Sequence, residues 1–125
     1  MNKKMFSQKA PAAIGPYSQG IDSSGEIFIS GQLPVDAATG KPGGTIQEQT
    51  RLCLENIRSV LSSAGLPMEA VAKTTVFLTD LTNFEAMNAV YANFFAEPFP
   101  ARSTVQVAAL PKDAWVEIEC IAKRP

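Results

Sequence analysis

The segment VAKTTVFLTDL, Val71 to Leu81, constrains the fold more than any other part of the chain. It is rich in β-branched residues and reads as a strand. Alternation sends Val76 and Leu78 to one face and Val71 and Phe77 to the other, so both faces are apolar. A helix is signalled on either side. Thr45 with Glu48 makes a capping box, after which Ile46, Cys53, Ile57, Val60, Leu61 and Ala64 recur at helical spacing. Gly65 is placed to stop that helix, with Pro67 just beyond. Thr82 with Glu85 repeats the capping pattern, and Phe84, Met87, Tyr91, Phe94 and Phe95 form the stripe of a second helix that ends near Pro98.

The flanks complete the pattern. GEIFISGQLP reads as a strand, preceded by a turn at Asp22–Gly25, which gives a hairpin from about Tyr17 to Ser30. The last stretch, PARSTVQVAALPKDAWVEIEC from Pro100 to Cys120, reads as two strands joined by a turn. The order is strands, helix, strand, helix, strands: an α+β arrangement with two helices on one sheet, in a single domain spanning residues 1–125. Two helices cover one face of such a sheet. The other face would expose the second apolar side of the central strand, and a symmetric oligomer is the simplest way to bury it.

Composition narrows the chemistry. Hydrophobic residues make up 46% and charged residues 18%, which argues against disorder. Eleven basic residues balance 12 acidic ones without a basic stripe, so neither nucleic acid nor a membrane surface is an expected partner. The first residues carry charge with no apolar stretch behind them, and the expected location is the cytoplasm. Cys53 and Cys120 sit among apolar residues and are expected to be buried free thiols. There is no histidine at all. That removes Ser–His and Cys–His nucleophile pairs and most zinc sites, so acid–base work would fall to Glu, Asp, Tyr, Lys or held water.

A few residues stand out, each with a plain structural alternative. Arg102 is the only basic residue between Thr74 and Pro111, and alternates with Thr104 and Gln106 on one strand face. It is either a solvated strand charge or an anion clamp. Glu117 and Glu119 lie inside an apolar strand on the face of Trp115. Asn88 lies on or beside the second helix's stripe, as a core amide or a site group. Tyr17, in the Pro- and Gly-rich loop APAAIGPYSQG, is a loop anchor or a site residue. Ser30 and Gly31 end a strand, and Gly31 would let a ligand approach a bare backbone N–H. TGKPGGT, before the first helix, fails the phosphate-loop pattern and reads as a plain loop.

Several of these segments together resemble one family. Pro100-Ala101-Arg102-Ser103-x-Val105, Leu110-Pro111 and Val116-Glu117-Ile118 are similar to the C-terminal signature of the Rid family of reactive-intermediate imine deaminases. APAAIGPYSQG and ISGQLPVD resemble its N-terminal segments, and KTTVFLTDL its central strand. The likeness covers nearly the whole chain and is greatest to the RidA subgroup. It implies a chorismate-mutase-like α+β fold, with two helices on one face of a mixed sheet. It also implies a homotrimer with sites in the clefts between subunits, and no cofactor or metal. The implied activity is hydrolysis of enamines and imines such as 2-aminoacrylate and 2-aminocrotonate to 2-keto acids and ammonia. Arg102 would grip the substrate carboxylate and Glu117 would position or activate the water. Tyr17, Ser30, Gly31, Asn88 and Thr104 would line the pocket. Familiar members carry cysteine where this chain has Thr104, so no thiol is expected to act there. Rival readings are a 2-keto-acid-binding sensor, an RNA-cleaving translation inhibitor and a chaperone-like interaction protein.

Overall fold

The computed structural model describes all 125 residues. Six strands and two helices form in the order β1 (Asn2–Met5), β2 (Gly20–Ser23), β3 (Glu26–Gln32), α1 (Ile46–Ser62), β4 (Val71–Leu78), α2 (Phe84–Tyr91), β5 (Ala101–Gln106) and β6 (Val116–Lys123). The strands make one sheet in the order β1-β2-β3-β6-β4-β5. All neighbours are antiparallel except β4 and β5, which run parallel, so the sheet is mixed. Parallel strands need a crossover, and α2 supplies the one between β4 and β5. No helix is long and apolar enough to cross a membrane.

Local signals account for the first helix. The Thr45 hydroxyl accepts from the Glu48 N–H at 3.1 Å, which satisfies one free N–H of the first turn. At the other end Gly65 has φ +73°, a left-handed conformation that favours glycine at a helix stop. Between these ends Cys53, Leu54, Ile57, Val60 and Leu61 are fully buried against the sheet. Ile27, Val76, Leu78, Val116 and Ile118 meet them from the strands, together with Met87 from α2. Buried polar groups on α1 tie down the loop before it: Asn56 donates to the Leu33 and Val35 carbonyls, and Gln49 to that of Gly43.

The structure corrects four expectations. Thr82 does not cap the second helix: Asp80 caps the turn ahead of it, and the N-cap residue of α2 itself, Asn83, makes no side-chain capping bond. The Asp80 carboxylate accepts from both the N–H and the hydroxyl of Thr82, and a short 3₁₀ turn at Leu81–Asn83 precedes α2. That helix ends at Tyr91, well before Pro98, leaving Phe94 and Phe95 on the turns after it. The final two strands are not neighbours, because β4 lies between them. Val71 does not share a face with Phe77: a register shift between Val71 and Lys73 turns Val71 into the core beside Thr74, Val76 and Leu78. A further strand, β1, pairs along β2 at the sheet edge.

One face of the sheet carries both helices. The other stays open and presents Phe28, Val105 and Ile121, each about two-fifths exposed. Cross-strand partners share a face, and Phe28 pairs with Ile121 in register while Val105 pairs with Phe77.

Candidate functional site

Strand register decides which candidate residues meet. Arg102 is opposite Thr74 and Thr104 opposite Val76, and both β4 residues lie buried under the helices. Arg102 and Thr104 therefore face α2. Glu117 is opposite Phe77 and Glu119 opposite Thr75, so both carboxylates occupy the open face. The two residues expected to bind and activate at one centre lie on opposite faces of the sheet within one chain, two strands apart.

The helix-side group is built around Arg102. Its guanidinium carbon lies 4.7 Å from the Tyr91 ring centroid and 5.5 Å from that of Phe84. It makes no ion pair or side-chain hydrogen bond; the ion pairs of the chain are Arg58–Glu55 and Arg124–Asp22. Asn88 sits on α2 between Phe84 and Tyr91, and Thr104 is two residues beyond Arg102 on β5. Asn88 Oδ1 and Thr104 Oγ1 are the two buried side-chain polar atoms of the protein without a hydrogen-bond partner. Leaving such an atom unpaired costs on the order of 1–3 kcal/mol, so a pair beside a free cation marks a place built for something other than stability.

The open-face group is built around Glu117. Its carboxylate packs against Gly31, where an added Cβ would come 2.5 Å from Glu117 Oε2, so a larger residue there would displace the Glu117 side chain. Loss of solvent, with the Glu119 charge beside it, raises the Glu117 pKa above its ordinary value. Ser30 and Gly31 lie at an irregularity in the β3–β6 ladder, between Ile29 and Gln32. The Ser30 hydroxyl donates to the Ser18 carbonyl at 2.6 Å, and its N–H to the Gln19 carbonyl at 2.9 Å. The Tyr17 hydroxyl accepts from the Ile14 N–H at 3.2 Å, so the loop-anchor role of Tyr17 is real whatever else it does. Tyr17 and Ser30 line an open-face groove of about 470 Å³ with Lys73, Thr75, Glu119 and Ile121.

Three contributors escaped the sequence reading of the site. Buried Gln19 holds the Tyr17 loop: its Oε1 accepts from the Ser7 N–H and its Nε2 donates to the Ala10 and Pro11 carbonyls. Tyr91 and Phe84 read as core stripe, and nothing in a helical period separates a core ring from a ring that carries a cation. The thiols are inert. Burial holds the Cys53 thiol far above its ordinary value and pushes Cys120 up to about 12, so neither supplies a thiolate at neutral pH.

Known proteins share this sequence and shape along their whole length. A 2-iminobutanoate/2-iminopropanoate deaminase of Salmonella typhimurium is 48% identical over 127 residues, covering 99% of each chain. The crystal structure of E. coli TdcF with bound serine superposes with a TM-score of 0.94 at 48% identity, covering 98% of this chain and 99% of that one. The E. coli YjgF gene product also superposes with a TM-score of 0.94, at 47% identity and with the same coverage. The sequence model described as Endoribonuclease L-PSP matches residues 7–124. With its two-helix mixed-sheet fold, the chain belongs to this L-PSP family, the Rid family that its motifs resemble.

Proposed function

We propose that the protein hydrolyses small 2-imino acids, and the enamines in equilibrium with them, to 2-keto acids and ammonia in the cytoplasm. The observation that carries this reading is the unpaired Arg102 guanidinium, held against two aromatic rings beside two orphaned polar atoms. A planar guanidinium pairs with a carboxylate through two parallel hydrogen bonds, which fixes orientation as well as charge. The deaminase named above, alike over its full length, supports the same chemistry.

The reaction needs little more. An enamine first gains a proton at its β-carbon and becomes the iminium ion, the protonated form of the imine. Water adds to the C=N carbon, Glu117 accepting the water's proton, and a carbinolamine forms. Glu117 returns the proton to nitrogen, the C–N bond breaks as the hydroxyl gives its proton to Glu117, ammonia leaves and the ketone remains. A base placed this way contributes about 10²- to 10⁴-fold. An imine is electrophilic enough for water, so no covalent nucleophile is required.

Arg102 and Glu117 lie on opposite faces of one sheet, so one small substrate reaches both only if two chains meet. The exposed Phe28, Val105 and Ile121 support such a meeting. We therefore place the site in a cleft where the Arg102 edge of one subunit meets the Tyr17–Gly31–Glu117 face of another, in a homotrimer of single-domain chains. Sedimentation equilibrium is expected to give three times the chain mass; a monomer at micromolar concentration would overturn the shared site.

The test of activity is a coupled assay. A pyridoxal-phosphate-dependent serine dehydratase generates 2-aminoacrylate, and its decay is followed with and without the protein. Acceleration together with release of ammonia and pyruvate is expected, and an unchanged decay refutes the reading. The family descriptor speaks of RNA, but 11 basic against 12 acidic residues leave no stripe for a phosphate backbone. Salt-dependent RNA affinity without imine hydrolysis would favour that activity instead.

A further inference from the structure

Arg102 stands on β5, an edge strand with a neighbour on one side only. A long side chain at such a place has several rotamers open to it, and ordering one on binding costs affinity. Here the side chain is already held. Tyr91 lies under the guanidinium at 4.7 Å and Phe84 stands at 5.5 Å. Tyr91 is itself fixed: it is buried, its ring meets that of Phe95 with centroids 4.7 Å apart, and its hydroxyl bonds Thr74 Oγ1 at 2.7 Å. Thr74 is fully buried and is the register partner of Arg102 across β4 and β5. The frame therefore closes on itself, from Arg102 to the Tyr91 ring, from Tyr91 to Thr74, and from Thr74 back across the ladder to Arg102.

The chemistry of the frame is specific. The rings hold the cation without occupying its N–H groups: Arg102 has no ion pair within the chain, so the donors a carboxylate needs stay free. Thr74 is a hydroxyl on a strand face that otherwise holds Val71, Val76 and Leu78, and the Tyr91 hydroxyl is its partner. Neither hydroxyl is needed for packing alone, since valine and phenylalanine would fill the same volumes.

We propose that Tyr91, locked by Thr74, and Phe84 are positioning residues that preorganise Arg102 for the substrate carboxylate. This rests on the reading of Arg102 as the carboxylate clamp. The frame sets affinity for the anion and leaves the hydrolytic step to the opposite half of the site.

The test measures KM and kcat for imine hydrolysis, and the dissociation constant of 2-oxobutanoate, in Tyr91→Leu, Tyr91→Phe, Phe84→Leu and Arg102→Ala. Tyr91→Leu is expected to raise KM and the dissociation constant about tenfold, the scale of a partly desolvated cation–ring contact. Its kcat should change less than about threefold, because substrate and transition state share the carboxylate contact. Tyr91→Phe keeps the ring but loses the bond to Thr74, so its affinity should fall between those of the parent and Tyr91→Leu. If Tyr91→Leu fails to fold, Phe84→Leu, at a more exposed ring, carries the test with the same direction of effect. Loss of kcat in step with KM, or binding by Tyr91→Phe no tighter than by Tyr91→Leu, would reduce Tyr91 to a packing residue and overturn the proposal. The two readings fail separately. If Arg102→Ala binds 2-oxobutanoate normally, the clamp itself is misplaced. If Arg102→Ala loses the ligand while Tyr91→Leu and Phe84→Leu bind normally, only the positioning role is lost.

Discussion

Arg102→Ala is expected to abolish imine hydrolysis in a protein that remains folded. The side chain has no ion pair or hydrogen bond within the chain, so its removal leaves no charged partner stranded. The fold loses only ring contacts at a sheet edge. A ligand carboxylate, by contrast, loses both of its charge-assisted hydrogen bonds. Truncating one member of such a pair costs about 2–5 kcal/mol, or roughly 30-fold to a few thousand-fold in affinity. Arg102→Lys should recover little. An ammonium is a compact charge that cannot present two parallel donors in a plane. The measurements are thermal unfolding, to establish the fold, and turnover of dehydratase-generated imine. Near-normal turnover by a folded Arg102→Ala protein would place the anion clamp elsewhere.

The sequence carried the local half of this picture and missed the long-range half. The first helix was legible because its signals are near neighbours in the chain: Thr45 and Glu48 at one end, Gly65 at the other. The second cap was misassigned because Asp80 and Thr82 are both capping types, and only the structure shows the carboxylate holding Thr82. The final strands were read as a pair because a short loop joins them, yet β4 pairs with both and keeps them apart. That error hides the division of the site. Alternation within β5 and β6 is plain in the sequence, but which face of each strand is which depends on register against β4. β1 was invisible for another reason: Asn2, Lys3 and Lys4 have no apolar alternation, being exposed at an edge. In sequence Asn88 is notable only as an amide beside an apolar stripe, and Thr104 only as a pocket position that the resemblance implies. Only burial without a partner makes them conspicuous.

The open-face carboxylate gives the second large effect. Glu117→Gln keeps the shape of the side chain and removes the base. Binding of 2-oxobutanoate should survive while hydrolysis falls about 10²-fold or more. The pH profile offers an independent check. Burial and the neighbouring Glu119 raise the Glu117 pKa, so protonation disables the base at a higher pH than for an ordinary glutamate. Activity should fall on the acid side along a limb displaced upward from that of an ordinary glutamate, and Glu117→Gln should lack that limb.

Stability should move the other way, and its sign follows from the same shift. The native state binds the Glu117 proton more tightly than the unfolded chain does, so the ionised side chain disfavours folding above its native pKa. Below the unfolded pKa both states hold the proton and this contribution vanishes. Glu117→Gln should therefore unfold at a higher temperature than the parent near pH 7, and lose that advantage as the pH drops below the ordinary glutamate value. Thr104→Ala is the counter-experiment. It removes an unpartnered hydroxyl that no covalent step needs, and hydrolysis should persist. A dead Thr104→Ala beside an active Glu117→Gln would make the hydroxyl the catalytic group and refute activation of water by Glu117. If both variants hydrolyse normally, the water is held by another side chain of the open face, and Tyr17, which lines the open-face groove with Ser30 and Glu119, is the next to substitute.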